Sequence, residues 1–107
     1  MYAVHVTVKV QNRLAKNSII LSLKEWSSYL FKSGNGLILR CFLDKSENQI
    51  EIFHVFESKK LVEKIRKENA NKFWNEIKDM GGQVTRMEGV CEVEMTSDFK
   101  NFGINFK

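Results

Sequence analysis

Histidine, cysteine and a group of large aromatic side chains have the widest chemical options in this chain, and their positions narrow those options. The two histidines, His5 and His54, lie in MYAVHVTVKV and QIEIFHVFES, stretches that alternate apolar and polar residues. Successive side chains of a strand point to opposite faces. His5 keeps phase with Thr7 and Lys9, whereas His54 keeps phase with Ile50, Ile52 and Phe56. The two imidazoles therefore belong to opposite faces of a sheet and cannot share one metal ion. CxxC, HxxxH and EF-hand spacings are also missing from the sequence. No metal or other cofactor is expected.

His54 falls in an apolar row, where an imidazole needs a hydrogen-bond partner. That partner is either a backbone carbonyl or helix side chain in an ordinary core, or a ligand whose polar end the histidine contacts. Trp26, Tyr29, Phe56, Phe73 and Trp74 are packing residues by type. Rings of that size between a small sheet and two helices often leave a slot.

The elements that must position these residues are legible in the periodicity. Tyr2 to Val10 reads as a strand with Val4, Val6, Val8 and Val10 on one face. Asn12 to Lys32 reads as a helix, its apolar stripe made by Ile19, Leu23, Trp26 and Leu30 and widened by Ile20 and Tyr29. Ser33-Gly34-Asn35-Gly36 stops it. Leu37 to Leu43 and Gln49 to Phe56 read as a hairpin joined by the polar Asp44 to Asn48. Ser58 can cap a second helix that runs to Met80 and ends at Gly81-Gly82. A fourth strand is expected between Gln83 and Met95, and residues 96–107 form a tail rich in phenylalanine, expected to cover a pocket or a partner.

The order β-α-β-β-α-β is the ferredoxin-like plan, a single domain with both helices on one face of an antiparallel sheet ordered 4-1-3-2. Cys41 and Cys91 then sit at opposite edges, about 14 Å apart across three strand spacings. That is beyond disulfide reach, so both are expected as free, half-buried thiols.

Extending the alternation, the helix-covered face should carry the valines of strand one together with Leu37, Leu39, Cys41, Leu43, Ile50, Ile52, His54 and Phe56, completed by Cys91, Val93 and Met95. The opposite face should carry His5, Thr7, Lys9, Ile38, Arg40, Phe42, Glu51, Phe53, Val55, Glu92 and Glu94. That second face mixes large apolar groups with charges, an arrangement unfavourable in water and unfavourable if buried unpaired. A face-to-face homodimer resolves the conflict, with Arg40 meeting Glu92 or Glu94 and with His5, Ile38, Phe42, Phe53 and Val55 in the interface.

Composition agrees with a small globular domain. In 107 residues, 43% are hydrophobic and 28% charged, with 17 basic and 13 acidic residues giving a net charge of +4. The charges are interleaved rather than gathered on one face. RNA-recognition motifs share the strand order, but their third strand needs a Lys/Arg-Gly-aromatic pattern. QIEIFHVFES has no glycine and sets Glu51 beside Phe53. Nucleic acid is not expected as a partner. No run of 18 apolar residues is present, so no membrane span is expected. The opening lacks a signal-peptide core, and two cysteines without a leader point to a reducing cytoplasm.

The segment QIEIFHVFES followed by a lysine-rich helix is similar to the third strand and W/F-E-S junction of the dimeric α+β-barrel superfamily, which includes antibiotic-biosynthesis-type monooxygenases and stress-responsive barrel proteins. Phe56-Glu57-Ser58 is the sharpest element, His5-Val6-Thr7-Val8 resembles the first strand of the stress-responsive branch, and the resemblance spans Tyr2 to Met95. It implies two sheets packed face to face into a barrel, with a ligand cavity between sheet and helices in each subunit. Family members include cofactor-free oxygenases, haem-degrading enzymes and polyketide cyclases. The haem-degrading residues are not matched: Val6 stands where those enzymes have Asn, Phe56 where they have Trp, and Arg66 about where they have His. The cyclase-type histidine is replaced at Glu68 or Asn71.

The expected function is therefore binding of a small, mostly apolar or amphipathic molecule, acidic or fatty-acid-like among the options. It should lie among Val6, Trp26, Tyr29, Ile52, His54, Phe56, Ile65, Arg66 and Phe73, with an acid or carbonyl group near His54 or Arg66. The alternative is a cofactor-independent monooxygenase or cyclase acting on an aromatic or polyketide-like substrate, with His54, Glu68 and Tyr29 as candidate catalytic groups.

Overall fold

Four valines at alternate positions make the first strand amphipathic, and the rest of the fold is assembled on that apolar row. In the computed structural model, which describes residues 1–32 and 35–94, this strand is β1 (Tyr2–Lys9). The other elements are α1 (Arg13–Lys32), β2 (Leu37–Ser46), β3 (Gln49–Phe56), α2 (Lys59–Ile65), α3 (Asn71–Asp79) and β4 (Gln83–Val90). All strand pairs are antiparallel, and the sheet order is β2-β3-β1-β4, the ferredoxin-like arrangement.

β1 and β3 face each other in register from Tyr2–Phe56 to Lys9–Gln49, pairing Val4 with His54 and His5 with Phe53. His54 therefore shares the helix-covered face with the valines, and His5 lies on the open face. Ile19, Leu23 and Leu30 of α1, Val62 and Ile65 of α2, and Trp74 and Ile77 of α3 close over Val4, Val6, Val8, Ile50 and Ile52.

The helix starts are held by side chains that satisfy otherwise unpaired backbone N–H groups. Asn12 Oδ1 accepts from the Ala15 amide at 2.9 Å at the start of α1. Ser58 Oγ accepts from the Leu61 amide at 3.3 Å at the start of α2. Replacing Ser58 with Ala should lower stability by about 1 kcal/mol, measured as a smaller urea midpoint at unchanged m-value. Gly36 has φ +77, a left-handed conformation in which a side chain would be strained, and a Cβ there would displace the Leu61 side chain.

The long second helix is continuous but not uniform. A π-helical turn, Arg66–Ala70, separates α2 from α3. Such turns displace the following side chains around the helix and often occur at functional sites. The buried Lys16 of α1 bonds Asp44 Oδ1 and the Ser46 carbonyl, tying the β2–β3 hairpin to the helix layer.

Two expectations about faces are overturned. Between Leu37 and Leu39 the ladder skips a residue, so Leu39 stands opposite Val55 and Arg40 opposite His54. This β-bulge reverses the alternation of everything after it. Arg40 and Phe42 consequently belong to the helix-covered face, and Leu39, Cys41 and Leu43 to the open face. Cys41 is exposed for the same reason, not half-buried, while Cys91 is half-buried; both thiols are free.

β4 is also shorter and in the opposite phase to that expected. It ends at Val90, opposite Tyr2, with one further backbone bond from the Cys91 amide to the Met1 carbonyl at 3.1 Å. Its helix-covered row is Val84, Arg86, Glu88 and Val90. Cys91, Val93, Glu92 and Glu94 lie beyond the strand, so neither glutamate sits in the sheet to meet Arg40. Met95 and the apolar tail lie outside the described residues.

Candidate functional site

The helix-covered layer contains more polar chemistry than a core of this size normally buries. His54 on β3 is 3% exposed. Among the described residues its Nε2 has no hydrogen-bond partner, and the same holds for Trp26 Nε1 and for Nε and Nη2 of Arg40. Unpaired buried donors each carry a desolvation cost of about 1–3 kcal/mol, so four such atoms together call for an explanation.

Arg40 is brought inward by the bulge in β2. Its Nη1 donates to the Leu23 carbonyl of α1 at 3.0 Å. Its guanidinium carbon lies 4.6 Å from the centre of the Phe42 ring and 5.9 Å from that of Trp26. Burial pushes the Arg40 pKa down to about 10, still far above neutrality, so the group stays cationic. His54 is affected more strongly. Burial first, then the positive charges of Arg40 and Arg86, push it down to about 3, so it is a neutral imidazole at any ordinary pH.

On the other side of His54, Val4, Val6, Phe56, Val62, Ile65, Trp26 and Trp74 enclose a cavity of about 30 Å³ whose polar rim is His54, Arg66 and Arg86. That is room for about one or two waters. Arg66 Nη2 donates to Glu88 Oε2 at 2.6 Å, and the Tyr2 hydroxyl donates to Glu88 Oε1 at 3.0 Å. Burial raises the Glu88 carboxyl, but these two hydrogen bonds outweigh it and hold the group below its usual range. Arg86 is held below its ordinary value by burial and by Arg66.

Trp26 is the wall between this cavity and a second space. It stacks on Phe73 with ring centres 4.8 Å apart and planes at 16°. Outside that pair, Ser22, Glu25, Tyr29, Glu76, Ile77 and Met80 complete an open groove of about 380 Å³ between α1 and α3.

The residues expected to contact a ligand thus divide. Val6, Trp26, His54, Phe56, Ile65 and Arg66 line the inner cavity, and Tyr29 and Phe73 line the outer groove with Trp26. Ile52 lines neither and is fully buried core. Glu68 is exposed on the π-helical turn and lines neither space. Arg86 and Trp74 line the cavity and went unrecognised as site residues; Arg40, expected on the opposite face, lines neither space but packs against Trp26. The only sequence signal for Arg86 was a basic residue between Val84 and Val90 in their own phase.

Among the described residues, no group of three or more His, Cys, Asp or Glu is arranged to hold a metal ion. No helix among them is long and apolar enough to cross a membrane.

No family model matches the chain, and no curated protein matches it in sequence. Its fold is shared with solved structures. A protein of Deinococcus radiodurans assigned as an antibiotic biosynthesis monooxygenase superposes with a TM-score of 0.74 at 10% identity, over 90% of this chain and 97% of that one. A dimeric ferredoxin-like protein from an uncultured marine organism gives 0.68 at 20% identity, over 90% and 99%. SnoaB, a cofactor-independent oxygenase from Streptomyces nogalater, gives 0.66 at 8% identity, over 88% and 96%. The chain therefore has the ferredoxin-like α+β fold, and its structural neighbours are monooxygenase-like and dimeric ferredoxin-like proteins.

Proposed function

We propose that the protein is a homodimeric binding module that takes up a small, mostly apolar molecule of the acidic or fatty-acid-like kind between its sheet and helices. The observation that carries this reading is a set of buried polar atoms unpaired among the described residues: those of His54 and Trp26, which line the apolar cavity, and those of Arg40, whose guanidinium lies 5.9 Å from the Trp26 ring. A site that must hold a polar end of a greasy ligand has this composition, with few polar groups among hydrophobic walls. The inner cavity alone is too small for such a molecule, so the Trp26–Phe73 pair must shift and join it to the outer groove. Its free thiols fit the reducing cytoplasm as its location.

The open face supports the dimer. Leu39, Leu43 and Phe53 are 42%, 48% and 39% exposed, and together with Val55 and Met87 they form an apolar patch on one side of the sheet. Such a patch on a monomer is unfavourable, and the marine neighbour is described as dimeric. The interface set is accordingly His5, Leu39, Leu43, Phe53 and Val55, with Ile38 at its margin.

The reading is tested on protein purified without added ligand. Native mass spectrometry should show a bound organic molecule, and a panel of lipids and aromatics should contain members that raise the melting temperature. A ligand at about 100 times its Kd stabilises by about 2.7 kcal/mol. Repeated absence of both signals contradicts the proposal. Cofactor-independent oxygenation or cyclisation is less well supported: of its candidate groups His54 and Tyr29 line the two spaces, one each, but Glu68 lines neither.

A further inference from the structure

The chemistry of the unpaired atoms narrows the ligand beyond its apolar character. Arg40 is fixed on three sides. Nη1 is engaged by the Leu23 carbonyl, and the guanidinium carbon lies close to the rings of Phe42 and Trp26. What remains is one edge, the one along which Nε–H and an Nη2–H run parallel. Both nitrogens of that edge are buried and without a partner among the described residues. Trp26 Nε1, another group that can only donate, is buried and unpaired in the same cluster.

Every one of these three nitrogens donates and none accepts. A water molecule would satisfy some of them but would bring two protons needing acceptors of their own. A carboxylate brings only lone pairs, and its two oxygens match the spacing of the parallel N–H pair. We propose, resting on the ligand site argued above, that the ligand is a carboxylic acid whose carboxylate is held side-on by Nε and Nη2 of Arg40. Trp26 Nε1–H and the neutral His54 supply the further donors, and the apolar remainder lies toward Val6, Phe56 and Ile65. Arg40 is thus the residue that sets specificity. Arg66 does not play this part, because its guanidinium already bonds Glu88.

Two probes that differ only at the head group separate the claims: octanoate and 1-octanol, titrated by tryptophan fluorescence and calorimetry near pH 7.5. The wild-type chain should bind octanoate at least about ten times more tightly than octanol, as expected for a charge-assisted pair of hydrogen bonds. Arg40→Met should abolish that preference, leaving octanoate bound no more tightly than octanol. Arg40→Lys should restore only part of it, since an ammonium cannot reproduce the fork. Equal binding of both probes by the wild type overturns the carboxylate assignment and leaves the apolar site standing. Retention of the acid preference in Arg40→Met overturns the role of Arg40. Failure of both probes to bind overturns this inference together with the reading on which it rests. The wild-type comparison is decisive even if the Arg40→Met chain does not fold.

Discussion

Lowering the pH from 7 to 4 is expected to cost the folded protein about 3 kcal/mol through His54 alone. The imidazole has an ordinary value of 6.5 and is pushed down to about 3 in the fold, first by burial and then by Arg40 and Arg86. Between those two values the unfolded chain binds a proton that the folded chain refuses. Stability is therefore complete above about pH 6.5 and falls by about 1.4 kcal/mol per pH unit below it, levelling off near pH 3. For a domain of this size a loss of about 3 kcal/mol is a large part of the total. Urea denaturation of the wild type and of His54→Phe at successive pH values isolates the contribution. The variant should lose the slope between pH 6.5 and 4 that the wild type shows. Parallel pH profiles would mean that His54 takes up a proton inside the fold, and the argument from burial would be wrong.

The second large effect concerns the open face. Phe53→Lys should convert the proposed dimer to a monomer at micromolar concentration. Phe53 lies on a central strand, stacked on His5 with ring centres 4.2 Å apart, and His5 in turn meets Glu51 at 3.0 Å. In a two-fold interface each substitution occurs twice. Loss of a central aromatic costs about 2 kcal/mol or more per copy, so the dimer should weaken by about a thousand-fold. Sedimentation equilibrium measures this directly, and circular dichroism shows that each subunit keeps its fold. A wild-type chain that stays monomeric at high concentration refutes the face-to-face assembly.

The stability effects and the proposed function draw on the same buried groups. His54, Trp26 and Arg40 are unfavourable in an unliganded core, and a sequence selected for stability alone would replace them with apolar residues. Their retention is explained if a ligand completes their hydrogen bonds. Arg66, the first residue of the π-helical turn, lines the cavity and bonds Glu88.

Much of this was readable from the residues because β1 is unambiguous. Valine at every second position allows a single register, and with it the faces of His5 and His54 follow. The Ser58 cap and the helix stripes were equally plain. β2 was not readable in the same way. Leu37, Ile38 and Leu39 are all apolar, so the segment carries no alternation that would betray one skipped residue, and the bulge moves Arg40 from the open face to the helix-covered layer. β4 misled for the opposite reason. The alternation of Val90 to Met95 continues past the strand's end, but strand pairing ends at Val90, opposite Tyr2. The same error of phase hid Arg86 and Glu88, whose place among the valines is set by pairing with Val6 and Val4.

The polar atoms of the helix-covered layer can be watched individually in a nitrogen-15 spectrum, where the indole N–H of Trp26 and the Nε–H of Arg40 give separate signals. On titration with octanoate both should move together and saturably, with changes also at the Val6 and His54 amides. If octanoate leaves those two side-chain signals in place, or perturbs only surface amides, the layer between sheet and helices is not a binding site.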